Sequence, residues 1–302
     1  MNEQEVPNIK EISQKKKKKI ISYVLKYVVF AIFGGIAVAG GFIVGDLLIG
    51  RFDTFDPSKY SADSYKESEN NIIAWKSKKI NELDATQVFV VAEQKILENE
   101  HYQIKTKGWG DDEEQGYVLT MGMSQSLYGN RYRNGDEGYF DYFSMGAAAK
   151  VIKKTEFRFS EQKFFTYEGS LDGNDVNWTL SKPESGQDYR TRDEYKQMVG
   201  CYAENPIDYI VSTKTVVEQT SNGKVGDNYS YTLKLNISTS VLNYVVKMKY
   251  MSGFDYPKFL NIELRFEVDE NMNFQNIYVN ESYRVIGMKA ESKYKMEFTY
   301  SK

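Results

Sequence analysis

The stretch "YPKFLNIELRFEVDENMNFQNIYVNESYRV", residues 256–285, determines the fold class that we predict. In its first half, apolar and polar residues alternate. The apolar residues are Leu260, Ile262, Leu264, Phe266 and Val268, and the polar residues between them are Asn261, Glu263, Arg265 and Glu267. A period of two predicts a strand with one buried face and one solvated face, which is typical of antiparallel sheets. The segment "DENMN" at 269–273 follows this run and predicts a short hairpin connection.

The same alternation recurs elsewhere in the chain, at Tyr102–Thr106, at Tyr229–Ile237 and at Tyr294–Tyr300. Turn residues separate the runs, at Asn134-Gly135, at Asn222-Gly223 and around Asp172. The pattern predicts ten or eleven strands in one large antiparallel sheet.

Two helices are predicted around this sheet. The first runs from Asp84, which can cap it, to about Asn99, with an apolar face at helical spacing. The second starts at a capping box from Thr191 to Glu194 and belongs to an insertion over 191–211. A sheet with one dry face needs an apolar cover, and these helices are the ones available. We therefore expect the sheet to curl around them as a half-barrel.

An uncharged apolar run, from Tyr27 to Gly45, follows a lysine-rich N-terminal segment. It is long enough to span a bilayer, which takes roughly 20 apolar residues. Because the basic flank precedes the span, the positive-inside tendency places the N-terminus in the cytoplasm and the rest of the chain outside. The alternative is a cleaved signal peptide, since "AVA" at 37–39 resembles a cleavage site, but the apolar stretch continues past it.

The fold class expected from these features is α+β, with an N-terminal transmembrane helix followed by one antiparallel half-barrel around a leading helix and inserted helices. We divide the chain into a cytoplasmic basic tail (1–19), a transmembrane anchor (20–50), an extracytoplasmic linker (51–83) and the half-barrel domain (84–302). The expected location is the cell membrane, with a single pass and an extracellular C-terminal domain.

Composition limits the partners and the compartment. Residues 51–302 carry 32 Lys and Arg and 38 Asp and Glu, a net charge of −6, which argues against a nucleic-acid partner. Cys201 is the single cysteine, so an intrachain disulfide is impossible. A bacterial cell surface fits this composition better than a eukaryotic secreted domain, which would usually carry several disulfides.

The sequence contains no motif for catalysis, a metal or another cofactor, and we predict none of these. His101 is the single histidine, which excludes sites built from several histidines. Cys201 follows apolar residues and is interpreted as a buried thiol. The acidic run at 109–116 is typical of a solvated loop, and the calcium-loop resemblance at 269–280 has Phe274 where glycine is needed.

An aromatic strand, "GYFDYFSMG" at 138–146, suggests that neither of its faces is fully wet. One interpretation is a strand covered on its second face by the inserted helix. The other is the wall or mouth of an apolar ligand cavity, since aromatic residues and methionines adapt to acyl chains. The candidate cavity residues, from this strand and from the leading helix, are Val88, Val91, Ala92, Ile96, Phe140, Tyr142 and Met145.

In its layout, the chain resembles the bacterial lipoprotein carrier superfamily, of the LolA and LppX/LprG type. The resemblance spans roughly residues 84–302 and rests on the leading helix, on "HYQIKTKGW" at 101–109 and on the stretch at 256–285. It implies one helix before a sheet of about eleven antiparallel strands that wraps around inserted helices. The chain departs from the family in its predicted protein span, where many members use an acylated cysteine.

Two functions follow as hypotheses from these features. The first is a membrane-anchored extracytoplasmic domain that binds or carries an apolar ligand, most simply lipid, without catalysis. The second is an envelope protein-protein interaction module, a sensor, regulator or accessory subunit. In the second hypothesis, side chains fill the space under the sheet and the useful surface is its rim.

Overall fold

The computed structural model describes most of the chain after residue 61. The described residues are 62–108, 117–119, 126–135, 138–146, 151–158, 163–172, 175–180, 191–246, 258–285 and 288–301. The architecture is mostly antiparallel sheet with a few helices, consistent with the α+β class.

Two helices precede the sheet, α1 (Glu69–Lys76) and α2 (Ala85–Glu98). Asp84 caps α2 as predicted, since its Oδ1 accepts from the Gln87 backbone N–H at 2.9 Å. The predicted second helix is α3 (Arg192–Val199), and Thr191 and Glu194 form its capping box. A fourth and very short helix is α4 (Ile237–Ser240), and single 3-10 turns lie at Ala62–Tyr65 and Ile80–Glu82.

The described strands form one twelve-stranded sheet with antiparallel pairing throughout. Their order is β7-β6-β5-β4-β3-β1-β12-β11-β10-β9-β8, and β2 pairs with β12 beside this path. The strands are β1 (His101–Gly108), β2 (Tyr117–Leu119), β3 (Ser126–Asn134), β4 (Gly138–Gly146), β5 (Val151–Arg158), β6 (Lys163–Asp172), β7 (Asp175–Leu180), β8 (Val216–Val225), β9 (Asn228–Leu235), β10 (Lys258–Val268), β11 (Phe274–Val285) and β12 (Met288–Tyr300).

The core lies between α2 and the strands around β10. The predicted alternation is confirmed on β10, where Ile262, Leu264 and Phe266 are fully buried. In α2, Phe89 inserts its ring between Phe266 and Phe274, with centroid distances of 5.1 Å in an edge-on arrangement. Edge-on aromatic packing of this kind adds about 0.5–1.5 kcal/mol to each pair beyond burial of area.

Three details of the predicted strands were wrong, two of them because of β-bulges. The register shifts between Phe259 and Asn261, so Phe259 turns inward and Leu260, predicted to be buried, is 36% exposed. Asn222-Gly223 is a bulge inside β8, and the turn to β9 follows at Gly226, where φ is positive. The third detail is the end of β9 at Leu235, because the next residue, Asn236, caps α4 and places Ile237 in that helix.

The segment before α2 belongs to the structured domain from residue 62 onward. Trp75 of α1 is buried, as are Ile80 and Leu83, and all three join the same hydrophobic core as α2. The predicted anchor at 20–50 lies outside the described residues. Among the helices that the structure does describe, none combines the length and apolarity that a membrane crossing needs.

Candidate functional site

The four candidate residues on α2 lie in the core. Val88, Val91 and Ala92 have no accessible surface and Ile96 has 1%. They belong to a continuous cluster of buried side chains that includes strands β1 and β9–β12. Side chains therefore occupy the space between this part of α2 and the sheet.

The three candidates on β4 are placed by register alone, since their side chains are outside the described part. Ile104, on the face that α2 covers, is in register with Arg131, and Arg131 is in register with Asp141. Phe140 and Tyr142 alternate with Asp141 and so take register positions of the opposite face, whereas Met145 takes a position of the covered face. The register thus distributes these three residues over both faces of the sheet.

A buried polar cluster lies at one end of the covered face and was not predicted. At its centre is Glu281 of β11, in register with Ile262 and Ser292. The irregular segment 201–215, between α3 and β8, brings Tyr209 over the sheet, and the Tyr209 hydroxyl donates a hydrogen bond to Glu281 Oε2. Phe259 and Tyr283 pack beside it, with ring centroids 6.0 Å apart.

The environment of Glu281 favours its neutral form. Burial raises the pKa of Glu281 to about 7 and outweighs the hydrogen bonds from Tyr209 and Ser292, which lower the pKa, while the like charge of Asp208 raises it further. Burial likewise raises the pKa of Tyr209 and of Tyr294 well above the ordinary tyrosine value. The cluster can therefore take up and release a proton at Glu281 near neutral pH, while the tyrosines stay protonated.

A second carboxyl, that of the half-buried Glu93, contacts the same segment. Glu93 of α2 accepts a hydrogen bond from Asn205 Nδ2 at 3.0 Å. Burial raises the pKa of Glu93 to about 7, against the lowering effects of Asn205 and of the Lys66 charge. The Asn205 carbonyl accepts from Arg131 Nη1 of β3 at 2.7 Å, so this residue joins α2, the segment and the sheet.

The outer edge of the sheet at β8 is the most exposed strand of the described part. Every residue from Val217 to Val225 is exposed, and the side chains of Val217 and Val225 are each 54% accessible. β8 ends the strand order, so no described strand pairs with its outer side. Its exposed backbone and apolar side chains make this edge the candidate binding surface.

A groove of about 570 Å³ runs beside this edge, between the start of α2 and strands β8 and β9. Gln219 of β8 lines the groove and is fixed to the start of α2, because its Oε1 accepts from both the backbone N–H and the hydroxyl of Thr86 at 3.0 Å. The groove walls combine apolar and polar side chains and include Ile80, Leu83, Ala85, Lys224, Tyr229 and Tyr231.

Glu281 could have been found from the sequence, whereas Glu93 could not. Glu281 occupies an inward position in the alternation of Ile277, Val279, Glu281 and Tyr283. A charged residue among the buried apolar positions of a strand is a signal of a specialised site. Glu93 lies on the flank of α2, where helical spacing alone gives a glutamate no inward assignment.

No known protein-family model matches this chain, and no curated protein matches it either. In the part of the chain that the structure describes, no group of three or more His, Cys, Asp or Glu residues is arranged to hold a metal ion.

Proposed function

We propose that this chain is a membrane-anchored, extracytoplasmic and non-enzymatic module that binds an extended segment of another envelope protein. The observation that carries the proposal is the exposed edge strand β8, with a groove along its inner side. An open strand edge presents backbone N–H and C=O groups in the pattern that an added strand pairs with, and adjacent pockets select the side chains of that strand.

The filled core favours a polypeptide over a lipid as the main ligand. An acyl chain can enter under a sheet only where side chains leave space, and protein interiors are close-packed. Here, Phe89, Phe266 and Phe274 fill the region where α2 meets the sheet. The rim of the sheet is then the surface on which a partner can be bound.

The form of β8 also supports a specific partner over indiscriminate pairing. Bulges at Val216/Glu218 and Ser221/Gly223 limit the regular part of the strand to Glu218–Ser221. Bulges at a sheet edge disfavour aggregation through long, flat strands. A short regular edge with a groove beside it fits a partner segment of a few residues.

In this proposal, residues 20–50 hold the domain at the membrane, with the N-terminus in the cytoplasm. The sheet would curl as a half-barrel over α2 and the inserted segment, as the resemblance to lipoprotein carriers implies. An anchored domain works close to the membrane, so its partner would be another component of the same envelope.

Binding of an apolar ligand is the second candidate, and it is favoured by the apolar part of the groove. Ile80, Leu83 and Tyr231 face this space of about 570 Å³, which is within the range of small-molecule sites. A lipid chain could enter there without displacing the core of α2.

Site-specific photo-crosslinking in the native membrane tests the first candidate against the second. A photoreactive residue is placed at Val217 or Val225 of the full-length chain, with Ile73 as the matched control. Ile73 is 67% exposed but lies on the helix α1 and not on the sheet. We expect one protein adduct from both β8 positions and none from Ile73.

The crosslinked segment of the partner is then identified and synthesised as a peptide. Addition of this peptide should slow amide exchange in β8. Adducts that form equally from all three positions, or a lipid adduct in place of a protein adduct, would contradict the interaction module.

A further inference from the structure

We propose that the outer face of the sheet, the face opposite α2, carries a glycan-binding site on strands β3, β1 and β12. These strands are neighbours in the sheet, and a cavity of about 400 Å³ lies where β1 begins and where β3 and β12 end. A volume of this size is within the range of small-ligand sites. Strand β8 lies at the end of the strand order, so the glycan site is separate from the edge proposed to bind a partner.

The register places an aromatic ring, an amide and a hydroxyl side by side on the outer face. Gln103 of β1 is in register with Tyr132 of β3 and with Thr299 of β12. The next residue, Ile104, is buried in the core, so Gln103 and its two neighbours in register take outer-face positions. The Tyr132 side chain is 37% exposed, and Thr299 is exposed as well. A ligand can therefore reach this row from solvent.

A pair of amides at the same place offers one donor and one acceptor. Gln103 Nε2 donates to Asn130 Oδ1 at 2.9 Å, which orients both side chains, and both residues line the cavity. Each amide has a donor group and an acceptor group. A ligand in the cavity can therefore donate to Gln103 Oε1 and accept from Asn130 Nδ2. Adjacent hydroxyl groups of a sugar can make both bonds, because a hydroxyl donates as well as accepts.

Two aromatic residues of β4 continue the row on the neighbouring strand. Phe140 is in register with Tyr132 and Tyr142 with Asn130, so both hold outer-face positions. A sugar ring presents flat C–H faces between its hydroxyl groups, and aromatic side chains cover such apolar surface over a large area. The register thus places the aromatic residues of this strand on the same face as the amide pair.

The lining of the cavity favours a neutral polar ligand over a lipid. It consists of tyrosine, amide and hydroxyl side chains and one arginine, and the residues are Tyr102, Gln103, Asn130, Tyr132, Arg133, Asn134, Thr299 and Ser301. Arg133 is the one charged residue in this set of described residues, and its Nη1 donates to the Leu97 carbonyl at 3.1 Å. A lipid chain would cover the amides without pairing them, which is costly, whereas the hydroxyl groups of a glycan pair with them.

Binding of the full-length chain to glycans tests the site, in a detergent whose head group is not a sugar. The probes are an array of neutral oligosaccharides that includes chitohexaose and maltohexaose, and insoluble bacterial cell-wall glycan that can be sedimented. We expect the parent to bind at least one oligosaccharide of the array. Sedimentation with the wall glycan would identify the wall as the source, and binding to the array alone would assign the site to another glycan.

Tyr132→Ala should weaken this binding about tenfold, because it removes the aromatic surface, whereas Tyr132→Phe keeps the ring and should retain most of the affinity. Gln103→Ala should weaken it about fivefold by removing a hydrogen-bond partner of the ligand. Leu260→Ala is the matched control, since Leu260 is 36% exposed on β10, and it should bind as the parent does.

Urea denaturation shows whether each variant is folded, and if Tyr132→Ala is not, Gln103→Ala decides the test. A parent that binds none of these glycans overturns the site. Binding that neither Tyr132→Ala nor Gln103→Ala weakens overturns it as well.

Discussion

Glu281→Gln should stabilise the domain above pH 7, because the parent must keep a carboxylate buried there. The pKa of Glu281 is raised from 4.5 to about 7 in the folded state. Between these values the folded chain holds a proton that the unfolded chain has released. Stability therefore falls as pH rises through this window, by about 1.36 kcal/mol for each unit of pKa shift, or about 3.4 kcal/mol in total.

Glutamine keeps an oxygen acceptor for the Tyr209 hydroxyl and removes the charge. The variant should match the parent below about pH 4.5 and exceed it by up to about 3 kcal/mol above pH 7, a large part of the 5–15 kcal/mol typical of a domain. The parent takes up one proton at Glu281 on folding between these pH values, and the variant does not. The stability of the variant should therefore depend less on pH than that of the parent. Glu93 continues to titrate in the variant, so a residual slope is expected.

Urea denaturation of the full-length chain in detergent, repeated across this pH range, measures the effect. Glu218→Gln is the control, because its carboxyl is 71% exposed and pairs with Lys234 at 3.2 Å on the surface. Exposed pairs contribute only about 0–1 kcal/mol, so the control should follow the parent curve closely. A Glu281→Gln variant that is less stable than the parent above pH 7 would refute the burial argument.

Three further outcomes are expected. Ala92→Trp should destabilise the folded domain by about 1–3 kcal/mol, because the larger side chain overpacks the core. Ala74→Trp, on the exposed side of α1, is the control and should leave the melting temperature nearly unchanged. An unchanged melting temperature for Ala92→Trp would instead indicate space for a lipid. Thr191→Ala should cost about 1 kcal/mol by removing the α3 cap, measured by denaturation, and Thr191→Ser should restore it. Protease added to intact cells should digest the chain after residue 51 and spare 1–19, and protection of the large domain would contradict the proposed topology.

The strand pattern and the two main helix starts could be predicted because they depend on neighbouring residues. Alternation on β10 and the Asp84 and Thr191 caps require only the local chain. The Leu260 and Asn222-Gly223 errors share one cause. A bulge adds a residue to one strand of a pair, so the side chains beyond the bulge change the face of the sheet on which they lie. The position of the bulge depends on the pairing with the partner strand, which the local sequence pattern does not show.

The two predicted helices begin where the sequence indicates, but the second is shorter than the insertion that contains it. The insertion over 191–211 is helical only to Val199, and an irregular segment held by both apolar and polar contacts follows. Trp75 and Ile80, which the sequence assigns to the linker, pack into the core from α1 and the 3-10 turn after it. Polar segments with a few apolar residues have weak periodicity, so only the packed structure shows which of them contribute to the core.

The polar contacts of the segment 201–215 could not be predicted because they join residues that are distant in sequence. Tyr209 and Glu281 are separated by 72 residues, and Asn205 and Glu93 by 112. Each contact requires the sheet register and the position of α2 to be set first, and both are set by apolar packing. The apolar pattern thus determines where the carboxyls lie, and burial in turn determines that they titrate near neutral pH. A sequence signal exists only for Glu281, which is a charged residue among the apolar, inward-facing positions of its strand. Charged residues at positions that the alternation predicts to be buried are therefore the ones to test first in a sheet of this kind.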